Sequence, residues 1–354
     1  MLLDLSCLSY PLPPDVRRLY EAGDFGRMEL VIRRRLDDPC VPEALKARLR
    51  VQLEMAYEIP RAYPYTQAQM LDILQKNVSG FAEEELETLR DDGTLDWRYV
   101  NGEVRFKNNA LSALLKTRKE YAMRATDPDV MSGSKASTEQ LSAMIAKMKA
   151  NGGVRARFEL HEELTVRSDR LTEGETLRIH LPMPIVGAQV KRAELLSASH
   201  PVAFLAPEDE PQRTIYFELP YEPGMTVSAE IAYEIDAPYA QPHAREVYAE
   251  QPVFDTEELP PHVVFTPYLR ALAKEIVGDE TNALLKARKI YDFITTQTVY
   301  RFMPPYLTVP NIPEYFLSGL RGDCGVQAIT FVTLCRLCGV PAQWQSGLYT
   351  KPNS

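Results

Sequence analysis

Apolar side chains recur every three or four positions along most of the first 150 residues, in segments such as FGRMELVIRRRL and EALKARLRVQLEMAYEI, and this spacing predicts amphipathic helices. Pro39 and Pro42, on either side of Cys40, interrupt the pattern, and Pro60 and Pro64 punctuate it again before a further helix around Gln67–Gln75. One stretch departs from it. In DWRYVNGEVRF, Asn101-Gly102 separates two alternating runs, which predicts a hairpin with a two-residue turn, Trp97 opposite Phe106 and Tyr99 opposite Val104. These four apolar side chains then share one face, with Arg98 and Arg105 on the other. Residues 1–150 are therefore expected to form an α-rich domain containing one hairpin.

After the polar stretch DPDVMSGSKAST, one more amphipathic helix and Gly152-Gly153, the period changes to two. Short alternating runs such as VRARFELHEELTV, TLRIHLPMPI, RTIYFELPY and TVSAEIAYEI, separated by turn residues, predict an antiparallel β-sandwich over residues 151–240. Residues 241–262, rich in Pro and polar side chains, are expected to be a connector. The last segment, 263–354, opens with two helical patterns, TPYLRALAKEIV and TNALLKARKIYDFITTQT, followed by an irregular passage, RFMPPYLTVPNIPEYF. The chain as a whole is multidomain α+β, which suits 354 residues better than one core does.

Composition narrows the classes of function. A net charge of -9 argues against a general nucleic-acid-binding surface, because clustered Lys and Arg carry phosphate contact. No run approaches the roughly 20 apolar residues that cross a bilayer, and the N-terminus lacks the basic and apolar stretches of a secretory signal. Five cysteines, Cys7, Cys40, Cys324, Cys335 and Cys338, form an odd and uneven set that fits a reducing compartment. The expectation is a cytoplasmic protein that binds neither membrane nor nucleic acid.

The chemistry concentrates in LRGDCGVQAITFVTLCRLCGVPAQWQSGLYT. Gly322 offers a flexible turn, Asp323 can cap, and Ala328, Phe331, Val332 and Cys335 recur at helical spacing until Gly339 and Pro341 end the helix. Cys324 thus falls in the first turn of a buried helix, where unpaired N–H groups and the positive end of the dipole favour a thiolate. Asp323 opposes this by like charge unless capping consumes its carboxylate. After Pro341, AQWQSGLYT reads as a strand returning beside the helix.

These elements resemble the transglutaminase-like superfamily: Gly322-Asp323-Cys324, the helix through Leu337, Gly339-Val340-Pro341-Ala342, and Ser346-Gly347 with Tyr349. The likeness covers about Thr266 to Thr350, and IYDFITTQTVYRF with Tyr300 is similar to the family's approach to its site. The resemblance implies a papain-like core, present here as its N-terminal half. It implies a Cys324 thiolate attacking a protein or peptide carboxamide, with an acyl-thioester then released to water or a second amine, as in a thiol protease, amidase or acyltransferase. The backbone N–H of Cys324 is the first oxyanion donor and Tyr300 a candidate second. No cofactor and no metal is implied; no clustered acidic loop supports calcium.

One departure is larger than the likeness. The family places a His and then an Asp or Asn after the nucleophile helix, whereas His161, His180, His200, His243 and His262 all precede Cys324. The expectation is an N-terminal fragment of a longer enzyme, inactive alone. Gln343 also stands where members often carry Arg. The alternative is a non-catalytic scaffold whose degenerate core binds peptides or proteins. In either case the N-terminal α-rich domain is a candidate dock for a protein partner. Cys335-Arg-Leu-Cys338 lacks a second pair at ligand spacing and reads as core packing, Cys7 and Cys40 read as small apolar fillers, and His262 as a surface side chain.

Overall fold

In the computed structural model of the protein, which describes residues 5–345 and 347 apart from 128, 168–170 and 249, the helical periodicity of the N-terminal region becomes α1 (Pro14–Glu21), α2 (Phe25–Asp37) and α3 (Glu43–Ala62). Asp24 caps α2 by accepting from the Arg27 N–H at 3.1 Å. Their apolar faces bury Val16, Phe25, Met28, Ile32, Leu49, Met55 and Ile59 in one cluster. Pro60 does not stop α3 as the sequence reading has it; the helix runs through it to Ala62, because a proline in the last turn forfeits only one hydrogen bond.

A second cluster gathers Met70, Leu74, Leu86, Leu89, Phe106 and Leu114. It is built by β1 (Tyr65–Thr66), α4 (Gln67–Asn77), α5 (Glu83–Asp91), β2 (Trp97–Val100), β3 (Glu103–Phe106), α6 (Ala110–Thr117) and α7 (Lys119–Ala122). The hairpin has the register expected, Trp97↔Phe106 and Tyr99↔Val104, and β3 also pairs with β1. Asn101 and Gly102 both take positive φ, 50° and 87°, as the two-residue turn demands. Its faces differ from the expectation in one respect. Tyr99 is 53% exposed, while Arg98 on the other face lies 5.0 Å from the Phe25 ring centroid, so that the second face packs on the α1–α3 cluster.

After α8 (Asp129–Asn151) come six strands: β4 (Gly153–Thr165), β5 (Thr176–Pro182), β6 (Val190–Ala198), β7 (Phe204–Leu205), β8 (Thr214–Pro220) and β9 (Thr226–Pro238). They form two three-stranded antiparallel sheets, β4-β9-β6 and β5-β8-β7. Alternation puts Ile179, Leu181, Ile215 and Phe217 of one sheet and Val227, Ala229 and Ile231 of the other into a single core. Glu162, opposite Ala229, has both carboxylate oxygens buried without a hydrogen-bond partner, and burial pushes its pKa up to about 7.

The C-terminal segment supplies α9 (Pro267–Val277), α10 (Ala283–Gln297), β10 (Val299–Tyr300), α11 (Ile312–Gly319), β11 (Arg321–Gly322) and α12 (Cys324–Leu337). Leu269, Ile290, Ile294, Phe316, Val326, Leu334 and Cys335 form its core. The strand expected after Pro341 is not present over residues 341–345, and Ser346 and Tyr349 lie outside the described residues. Ala342 is instead held by Arg336, whose Nε donates to its carbonyl at 2.7 Å. No helix among the described residues is long and apolar enough to cross a membrane.

The described residues up to 135 form one compact unit with 243–344, and those from 136 to 242, with 345 and 347, form the other. Within the first unit the N-terminal helices and the C-terminal core share buried polar links. Tyr20 Oη donates to the Thr308 carbonyl at 3.0 Å, and the buried Lys107 ammonium donates to the Met303 carbonyl. Asp96, also buried, pairs with Arg301 through Oδ1 and accepts from Tyr63 Oη at 2.9 Å through Oδ2. Burial comes first among the forces that keep the Tyr63 phenol protonated, followed by the Asp96 charge.

Candidate active site

Cys324 is positioned by a strand end and a helix start. The chain leaves α11 through Leu320 in the left-handed region, φ 50°, and enters β11, which pairs in parallel with β10 in the register Val299↔Arg321 and Tyr300↔Gly322. Flanking bonds, Val299 N–H to Leu320 O at 2.9 Å and Arg301 N–H to Gly322 O at 3.0 Å, pin the backbone two residues before the cysteine. Gly322 serves close packing here rather than turn flexibility: a Cβ on it would stand 2.7 Å from Phe316 Cδ2 and 2.9 Å from Val326 Cγ1.

Asp323 is the N-cap of α12, its Oδ1 accepting from the Val326 N–H at 3.1 Å. The same oxygen accepts from Tyr306 Oη at 2.5 Å. Two donors therefore absorb the carboxylate that sits beside the thiol. The condition attached to Asp323 in the sequence is met, with a second partner that the sequence did not disclose. Tyr306 comes from the irregular passage, in a single 3-10 turn, Tyr306–Thr308, behind Pro304 and Pro305. Burial raises its phenol pKa most, and the hydrogen bond to Asp323 and the Asp323 and Cys324 charges raise it further, so it remains a donor across the accessible pH range. It touches the motif again at Gly325, where a Cβ would fall 2.3 Å from Tyr306 Oη. A glycine in a helix costs about 1 kcal/mol relative to alanine; Gly325 directly after the cysteine was the one sequence sign that another side chain comes this close.

Cys324 is the first residue of α12 and is exposed, while the helix behind it is buried at Val326, Thr330, Val332, Leu334 and Cys335. A side chain there stands at the positive end of the helix dipole. Cys335 behaves differently: it is 1% exposed and burial pushes its thiol up to about 12. Cys338 is half-buried and also raised by burial, with Lys286 acting in the opposite sense. Cys7 is buried and packs in the α1–α3 cluster, but Cys40 is exposed in the turn between α2 and α3, contrary to its reading as a filler.

Tyr300 lies beside Gly322 on β10, with its ring edge-on to Phe302 at 5.5 Å and Lys116 Nζ 4.1 Å from its centroid. The ring is therefore held from two sides, and its hydroxyl makes no hydrogen bond among the described residues. His262 is half-buried rather than a surface side chain; its Nδ1 has no partner and burial lowers its pKa. No hydrogen bond joins any histidine to Cys324 among the described residues. Nor do they contain a group of three or more His, Cys, Asp or Glu side chains placed to hold a metal ion.

Residues 270–354 match the core model of the transglutaminase-like superfamily. A crystal structure of "a Putative Cysteine Protease from Cytophaga hutchinsonii" aligns with 17% identity over 53% of this chain and 67% of that chain, at a TM-score of 0.38. No curated protein matches the chain.

Proposed function

We propose that Cys324 is the nucleophile of a thiol enzyme acting on protein or peptide carboxamides. Sγ adds to the carbonyl carbon, the C–N bond breaks, the amine leaves with a proton, and the acyl group remains on sulfur as a thioester. Water or a second amine then attacks that carbon, releasing an acid or a new amide and returning the thiol. The backbone N–H of Cys324 is the first oxyanion donor in this reading and Tyr300 the candidate second, its hydroxyl having no partner that a substrate must displace. Residues 325–354 contain no histidine, so the proposal assigns no base. The five free cysteines fit a cytoplasmic setting, and docking of a protein partner through the N-terminal helices is part of the same reading.

The observation that carries it is the exposed Cys324 at the helix start with the neighbouring Asp323 carboxylate engaged by Val326 and Tyr306. The test is competitive alkylation by iodoacetamide at pH 7 with peptide mapping. Cys40, exposed in a turn, controls for access, and the buried Cys335 for its absence. Cys324 reacting at least about tenfold faster than Cys40 supports the nucleophile. Equal rates at Cys324 and Cys40 replace it with the peptide-binding scaffold.

A further inference from the structure

On the strand pair that leads into Cys324, the first unit has a cavity of about 160 Å³ whose lining includes Thr94, Ala113, Arg118, Arg301 and Arg321. Three arginines therefore line one small space, and no carboxylate residue is among its lining. Asp92 and Glu120 both go to Arg118, at 2.7 Å each, and Thr94 Oγ1 accepts from Arg118 at 2.9 Å. Asp96 pairs with Arg301 but divides itself between that group and Tyr63 Oη. What remains without a protein partner is the guanidinium of Arg321, which makes no hydrogen bond or ion pair among the described residues. Lys116, over the Tyr300 ring, adds further positive charge from α6.

Gly93 shows that these groups converge. A Cβ there would lie 3.9 Å from Arg321 Nε and 4.0 Å from the Nη1 atom of Arg301, so the two nitrogens are no more than about 8 Å apart. An oxyanion accepting one charge-assisted bond of about 2.8 Å from each side spans about that distance. A cavity of this size exceeds what a single water needs by about tenfold. The unpartnered Arg321 guanidinium, with Arg301 beside it in the same lining, suits a small anion with more than one oxygen.

We propose that this cavity binds a small oxyanion, a phosphate or a carboxylate group, with Arg321 and Arg301 as its charged donors. Unlike the nucleophile reading, it makes no use of the thiol. The test is isothermal titration of the whole chain with inorganic phosphate and, separately, sodium acetate, at constant ionic strength maintained with sodium chloride. Saturable binding of either ion is expected, weakened about tenfold or more in Arg321→Gln and by less in Arg321→Lys, which keeps the charge and loses the fork. Preference for phosphate identifies a phosphoryl ligand, and preference for acetate a carboxylate. Should Arg321→Gln fail to fold, Ala113→Leu, which fills the space from α6 and leaves every charge in place, must abolish the binding. Absence of saturation with both ions, or binding unchanged in whichever of Arg321→Gln and Ala113→Leu folds, overturns the proposal.

Discussion

Gly325→Ala tests whether Tyr306 is locked against the turn that carries Cys324. The new methyl carbon would start 2.3 Å from Tyr306 Oη, whereas ordinary contact begins near 3.4 Å, so the hydroxyl must retreat by about 1 Å. Its 2.5 Å bond to Asp323 does not survive that displacement. Overpacking costs about 1–3 kcal/mol and a hydrogen bond to a charged group about 1.5–3 kcal/mol. Against these, alanine returns about 1 kcal/mol of helix propensity. Tyr306 is only half-buried, so solvent softens the loss, and a net destabilisation of about 1–3 kcal/mol is expected. The two tryptophans, Trp97 and Trp344, both belong to the first unit, so urea unfolding followed by their fluorescence reports on it alone. The decisive arm is Tyr306→Phe. Without the hydroxyl the nearest ring carbons stand 3.3 and 3.4 Å from the methyl position, a fit that needs little adjustment. In that background Gly325→Ala should be neutral or stabilising. An equal cost in both backgrounds, with coupling below about 0.5 kcal/mol, would refute the reasoning.

Two further expectations use other parts of the molecule. Asp323→Ala removes the cap of α12 and the acceptor for Tyr306, and the first unit should lose about 1–2 kcal/mol by the same fluorescence assay, whereas Asp323→Asn, which still accepts from Val326, should lose less than half of that. In the two-sheet unit, Glu162 has a folded pKa of about 7 against an ordinary value of 4.5, so the folded state holds the proton more tightly than the unfolded one. Stability from this group is complete below pH 4.5 and declines as pH rises to about 7. Because the side chain is only partly covered, the loss is about 1–2 kcal/mol. Hydrogen exchange of β4 and β9 amides, corrected for intrinsic rate, should show protection falling between pH 5 and pH 8 in the parent chain and staying level in Glu162→Gln.

How far the sequence speaks depends on whether a feature is local. The hairpin was legible to its register because Asn101-Gly102 forces both turn residues to positive φ and the flanking alternation admits one pairing. The helix that begins at Cys324 was legible at both ends, from the Asp323 cap to Gly339 at φ 74°. Tyr306 was not. It reaches Asp323 from an irregular Pro-rich passage that has no period to read, across 17 residues. The same holds for Asp96, Lys107 and Arg301, which look like ordinary surface charges in the sequence and are buried or nearly so only because residues some 200 positions apart meet. The period changes where β4 begins at Gly153, yet the compact units divide at 135/136, inside α8, because a helix keeps its period when its neighbours change. Cys40 fails for a related reason: two prolines bracket a turn, and turn residues face solvent whatever their polarity.

The bond from Tyr20 to Thr308 joins residues 288 positions apart. A ribosome working at about 5–20 residues per second takes roughly 15–60 s to make that stretch. For most of that interval α1–α3 are complete while Leu307, which packs against their cluster, has not yet been made. The newborn N-terminal helices thus wait with an apolar surface open, with Asp96 lacking Arg301 and Lys107 lacking the Met303 carbonyl, a state that favours chaperone capture and early proteolysis. Expression yield of this protein should accordingly respond to translation speed between residues 135 and 310 more than to any codon before them.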